Sequence, residues 1–122
     1  VELAGSILAT GFPFKQKHHL DAYTDAFKAL FTQTADIRRA GSAALDMAYV
    51  AAGRVDGFFE IGLKPWDTAA GELLVKEAGG MVVDFAGGVN YNNSGNIICG
   101  APKLTQAIIR EIRPVLPEAL LR

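Results

Sequence analysis

The stretch Val55–Phe85, VDGFFEIGLKPWDTAAGELLVKEAGGMVVDF, changes its hydrophobic pattern twice. Val55 to Ile61 is a short aromatic and β-branched run closed by Gly62, the pattern of a strand. Pro65-Trp66-Asp67 then opens a helix: proline suits the first helical position and aspartate the first turn. Its apolar positions, Trp66, Ala69, Ala70, Leu73 and Leu74, recur at helical spacing and predict a core-facing stripe. Gly79-Gly80 ends that helix, and Met81 to Phe85 reads as another strand.

The same alternation extends outward in both directions. Ser6 to Thr10 is a short buried strand ended by Gly11-Phe12-Pro13. Leu20, Tyr23, Phe27, Leu30 and Phe31 fall on one face of a helix, with the aromatics expected in the core. Asp36 to Arg39 is a further short strand. Gly41-Ser42 opens a small-residue helix, Ala43 to Ala52, closed by Gly53. Ala86 to Gly95 is a Gly/Asn-rich loop, and Asp84 with Asn90, Asn92, Asn93 and Asn96 supplies turn chemistry in and around it. Asn96 to Cys99 is a strand, and Leu104, Ala107, Ile108 and Ile112 mark a last helix that Pro114 cannot continue. Alternating strands and helices predict a single α/β domain over residues 1–122, with a mostly parallel or mixed sheet flanked by helices.

Composition narrows the function. The 122 residues are 50% apolar and 20% charged, as in a chain that buries a core. Twelve Lys and Arg against thirteen Asp and Glu leave a net charge of −1, which argues against direct nucleic-acid binding. No apolar run reaches the ~18 residues of a membrane helix. The lone Cys99 has no disulfide partner and reads as a packed thiol, which fits a reducing, cytoplasmic setting. His18 and His19 lack the neighbours of a metal site. Glycine-rich nucleotide loops, a nucleophile elbow and zinc-protease motifs are all missing.

Three segments could carry chemistry. Arg38-Arg39-Ala40-Gly41-Ser42-Ala43 leads from a strand end into a helix N-terminus, where free N–H groups favour an anion or a hydroxyl-rich ligand. Ser42 reads equally well as an ordinary N-cap. Glu60 sits in an aromatic strand and either faces solvent or points into a cleft at the strand end. Asp67 is either a helix cap or an oxygen ligand for a hard cation such as Mg²⁺.

The order of these segments closely resembles the inositol monophosphatase family, in its bacterial SuhB-like branch. The resemblance rests on Arg38-Arg39-x-Gly41-Ser42-Ala43-Ala44, Gly57-Phe58-Phe59-Glu60-x-Gly62, Trp66-Asp67-x-Ala69-Ala70-Gly71 and Glu77-Ala78-Gly79-Gly80. It implies the C-terminal part of a layered αβαβα fold and a Mg²⁺-dependent, lithium-sensitive hydrolysis of inositol 1-phosphate. It also implies a homodimer. By the same resemblance Asp67 ligates metal and contacts substrate. Gly41, Ser42 and Ala43 form the inositol-binding turn, Glu60 takes ring hydroxyls, and Arg38 lies near substrate.

The family's other metal ligands, a glutamate and an Asp-Pro-x-Asp-Gly-Thr segment, have no counterpart here. With Val1 in place of Met, this leads to the expectation of a C-terminal portion of a longer enzyme, silent alone. A sheet face bared by the missing half should drive dimerisation or aggregation. Sister activities on fructose 1,6-bisphosphate or a nucleotide 3′-phosphate, and a protein-interaction role with the transcription machinery in ribosomal RNA synthesis, are the competing expectations.

Overall fold

The computed structural model describes residues 2–11 and 17–121; the expected turn at Phe12-Pro13 lies outside them. Five strands form one sheet: β1 (Ile7–Thr10), β2 (Asp36–Arg38), β3 (Gly57–Glu60), β4 (Met81–Val83) and β5 (Ile97–Gly100). Their order is β2-β1-β3-β5-β4. β1 runs parallel to β2 and to β3, while β5 is antiparallel to both β3 and β4. The sheet is therefore mixed.

Helices cover both faces. α1 (Leu20–Phe31) and α5 (Pro102–Ile112) close one side over Leu8, Phe59, Val83 and Ile98. α2 (Ala43–Ala51) and α3 (Pro65–Glu77) close the other over Ala9, Phe58, Val82 and Cys99. Phe58 and Phe59 thus go to opposite cores, as strand alternation requires, which is why this strand is apolar on both faces. A four-residue helix, α4 (Tyr91–Ser94), interrupts the expected loop and buries Tyr91. β4 stops at Val83 because Asp84 turns the chain. Its carboxylate accepts from the N–H groups of Ala86, Gly88 and Asn90 at 2.8–3.0 Å. Among the described residues no helix is long and apolar enough to cross a membrane.

Two helix faces depart from the sequence expectation. On α1, Tyr23, Ala26 and Leu30 are buried, while Phe31 is 50% exposed and stacks on Phe27 with ring centres 5.5 Å apart. On α3 the departure is larger. The stripe read as core-facing points outward, with Trp66 76% and Leu73 60% exposed; Thr68, Gly71 and Val75 face inward. The reason lies at Gly71. A Cβ there would stand 2.7 Å from the Met47 Cβ, so only glycine lets α3 approach α2 this closely. Close approach of the backbones turns the larger apolar side chains to the opposite side.

Neither sheet face is bare, contrary to the expectation of an exposed sheet surface. Among the described residues, apolar surface is instead exposed on the helices, with Leu45 on α2 and Trp66, Leu73 and Leu74 on α3. Such surface favours association. Light scattering of the isolated chain should show concentration-dependent self-association. The double variant Trp66→Ser, Leu73→Lys should be monomeric, with stability within about 0.5 kcal/mol of the parent, because exposed sites contribute little to folding. A parent monomeric at high concentration would contradict this.

Candidate active site

Because β1, β2 and β3 are parallel, their C-terminal ends share one edge of the sheet. That edge holds Gly11, Arg38 with Arg39, and Glu60. α2 follows β2 and α3 follows β3, so both helices begin at the same edge. Ligands of open α/β sheets bind outside the carboxyl ends of parallel strands, where helix N-termini offer N–H groups.

The turn before α2 is built by two residues. Gly41 has φ of 89°, in the left-handed region that glycine adopts without strain. Ser42 Oγ accepts from the Leu45 N–H at 3.2 Å, so its hydroxyl serves as the N-cap. Gly41 and Ser42 are exposed and Ala43 is half-buried, leaving this small-residue turn open to a ligand.

Glu60 shares the α2/α3 side of β3 with Phe58. Its carboxylate lies against Gly11, where a Cβ would overlap Oε1 and come within 2.6 Å of Cδ. Burial pushes its carboxyl up to about 7, aided by the charges of Asp46 and Asp67 and opposed by Arg39. Burial also raises the Tyr23 hydroxyl, and the charges of Glu60 and Arg39 reach it. Thr10 Oγ1 donates to the Phe59 carbonyl at 2.8 Å, so Tyr23 donates to Thr10 across 3.2 Å.

Asp67 caps α3. The Lys64 N–H donates to Asp67 Oδ2 at 3.0 Å, and the Asp67 N–H donates back to the Lys64 carbonyl at 2.9 Å. The approach to α3 is pinned to the start of β5: Leu63 N–H donates to the Gly95 carbonyl at 2.8 Å and Gly62 N–H to Asn96 Oδ1 at 3.3 Å. These bonds set the distance from the end of β3 to Asp67.

The topology thus places Glu60 and the start of α3, which carries Asp67, at one edge of the sheet. It places Gly41, Ser42 and Ala43 between Arg39 and Asp46, whose charges both reach Glu60. Arg38 is exposed at the end of β2, and the guanidinium that acts on Glu60 is that of Arg39. Asp46 is the residue that the sequence reading missed. It is 2% exposed, one of its oxygens has no hydrogen-bond partner, and burial pushes its carboxyl up to about 6. Its one sequence signal is a charge inside Ala43-Ala44-Leu45-Asp46-Met47-Ala48, an otherwise apolar turn of helix.

A divalent cation is the obvious ligand for so many carboxyls, but the described residues do not make its site alone. No group of three or more His, Cys, Asp or Glu among them is arranged to hold a metal ion. Mg²⁺ keeps its waters unless several oxygens are fixed around it. What the arrangement offers is hydroxyl recognition by carboxyl groups, an open helix N-terminus, and one carboxylate at the rim.

Comparison with known proteins bears on the family and the fold. The model of the inositol monophosphatase family matches residues 2–116. The Nus factor SuhB of Salmonella typhimurium is 61% identical over 121 residues, which is 99% of this chain and 45% of that protein. The Haemophilus influenzae Nus factor SuhB is 54% identical, over 94% of this chain and 43% of its own length. Among solved structures, the inositol monophosphatase from Anabaena superposes with a TM-score of 0.87 at 38% identity, covering 97% of this chain and 49% of that one. The extragenic suppressor protein suhB from Bartonella henselae gives 0.86 at 42% identity, covering 92% and 43%. The chain spans less than half the length of these relatives, and it belongs to the inositol monophosphatase family.

Proposed function

We propose that this chain is the C-terminal portion of a Mg²⁺-dependent phosphomonoesterase acting on inositol 1-phosphate. In this reading it supplies the ring pocket and one metal-ligating carboxylate and is silent alone. The observation that carries the reading is the convergence of Glu60, Asp67 and the open α2 N-terminus at one sheet edge. Glu60 takes ring hydroxyls, and the Gly41-Ser42-Ala43 turn lies against the ring. Asp67 supplies an oxygen to a metal whose remaining ligands come from the other portion. When bound, Mg²⁺ supplies charge neutralisation at the phosphate and an activated water.

The outer side of α2 and α3, next to Asp67, is the natural seat for that other portion. Joining the chain to the N-terminal portion of a SuhB relative should give phosphate release with Mg²⁺, and kcat/KM should be highest for inositol 1-phosphate. Preference for fructose 1,6-bisphosphate or a nucleotide 3′-phosphate would overturn the substrate assignment. In the same joined protein, Gly11→Ala should raise KM about tenfold by displacing Glu60, the scale of one hydrogen bond to a ligand hydroxyl. An unchanged KM would remove Glu60 from the pocket.

A second reading rests on the relatives named Nus factor and on the exposed stripe of Trp66, Leu73 and Leu74. The chain would then contribute a contact surface to transcription-machinery proteins. Net charge near zero favours a protein partner over nucleic acid. Partner binding that survives Asp67→Ala while phosphate release is lost would separate the two roles.

A further inference from the structure

The arrangement that sets the N-termini of α2 and α3 at the edge of Glu60 sends both C-termini to the opposite edge of the sheet. There the ends of the two helices, the approach to β3 and the end of β5 enclose a cavity of about 280 Å³. Val50, Val55 and Val75 give it apolar wall, and the main chain at Gly79, Gly80 and Gly100 gives it polar wall. A Cβ at Gly80 would stand 2.7 Å from Val75 Cγ1 and 3.1 Å from the Gly100 carbonyl, so this corner is walled by main chain.

Asp56 is the one charged residue in the lining. It is held in place: Oδ2 accepts from the Ile7 N–H at 2.8 Å, and the Asp56 N–H donates to the Ile7 carbonyl at 2.7 Å. No Lys, Arg or His among the described residues pairs with it. Arg54, close by in the chain, lies over the Tyr49 ring instead, 5.9 Å from its centre. The last carbonyls of a helix lack intrahelical donors and carry the negative end of its dipole, and two helices end here. The carboxylate and both dipoles therefore have one sign. A bare metal ion needs several fixed oxygens, and among the described residues no three His, Cys, Asp or Glu are arranged for one. Valine walls beside a carboxylate suit a short alkyl chain that ends in a cation. A planar guanidinium suits them best, because its donors can meet carboxylate and carbonyl oxygens together.

We propose that this cavity binds a small organic cation, an alkylguanidinium or alkylammonium. Its chain lies against Val50, Val55 and Val75, and its charge meets Asp56 and the two helix ends. The site lies at the sheet edge opposite Glu60 and does not rest on the phosphatase reading.

The test is a titration of the chain followed by NMR of its backbone amides. Butylguanidinium is the probe, and butylurea, of the same shape but uncharged, is its control. Butylguanidinium should shift the amides of Gly53, Gly79, Gly80 and Gly100 saturably, with millimolar affinity, and butylurea should bind about tenfold more weakly, the scale of one charge-assisted bond. Asp56→Asn keeps an acceptor for the Ile7 N–H but loses the charge. It should weaken butylguanidinium about tenfold and leave butylurea as in the parent. Ala51→Leu, which adds volume at the cavity wall, should weaken both probes. No saturable shift at these glycines overturns the proposal. So do equal shifts with the two probes, or butylguanidinium binding unchanged in Asp56→Asn, either of which marks an apolar pit. Tighter binding of a blocked peptide with one arginine overturns the small-molecule assignment and makes the cavity a seat for a protein side chain. Turnover of inositol 1-phosphate by the joined protein tests the phosphatase reading separately from all of these outcomes.

Discussion

Asp67→Ala in the joined enzyme should lower kcat about a hundredfold or more, because even residues that only support a metal's ligands are worth about 10–100-fold. The same change removes the α3 cap, in which Lys64 N–H donates to Asp67 Oδ2. Cap loss costs about 0.5–2 kcal/mol, too little to unfold a typical domain. Asp67→Asn separates the two effects. An amide oxygen still accepts from Lys64, so the helix end survives while the charge at the rim is gone. Both variants should remain folded by circular dichroism, and both should lose turnover. Full activity in Asp67→Asn would reduce Asp67 to a cap.

Stability of the chain should fall as pH rises from about 4 to about 7, the reverse of ordinary acid denaturation. Two carboxyls drive this. Glu60 is pushed up to about 7 from 4.5, and Asp46 to about 6 from 3.8. In that window the folded chain holds protons that the unfolded chain has already released, so ionisation favours unfolding. A carboxyl displaced by about two pH units contributes about 3 kcal/mol when buried. Asp46 is buried enough for most of that, while Glu60 is partly exposed and repels Asp46, so the two do not add. We expect a loss of about 2–4 kcal/mol between pH 4 and pH 8 in urea titrations. His19, lowered by burial and by its neighbour His18, works in the opposite direction within the window. Glu60→Gln and Asp46→Asn isolate the carboxyls, and each should flatten the profile. A parent profile that rises across this range would mean that the two groups are ionised and compensated.

Most of the strand and helix order was legible in the sequence, because each element carries its own period and punctuation. Gly41-Ser42, Pro65 and Gly79-Gly80 mark helix ends by local chemistry that tertiary packing does not override. The buried face of α3 was not legible. Trp66, Leu73 and Leu74 outweigh Thr68, Gly71 and Val75 in apolar area, and only the contact between Gly71 and Met47 reveals which side meets α2. A stripe that is the more apolar side of a helix can face a partner as readily as its own core. At the site, Glu60 and Asp67 each had an ordinary reading, solvent-facing strand residue and helix cap, and only the family resemblance singled them out. Asp46 was not singled out, because a single charge in a short helix usually points to water. Its burial depends on β3 and β5 lying beneath α2, a long-range arrangement that spacing along the chain does not encode.

In the proposed reading this chain holds a ring pocket and one metal-ligating carboxylate but not a complete site. Phosphate release from inositol 1-phosphate with Mg²⁺ tests it most directly, measured for the chain alone and for the chain joined to the N-terminal portion of a SuhB relative. We expect no turnover by the chain alone, and turnover by the joined protein that Asp67→Ala removes. Turnover by the chain alone that is lost in Asp67→Ala would contradict it.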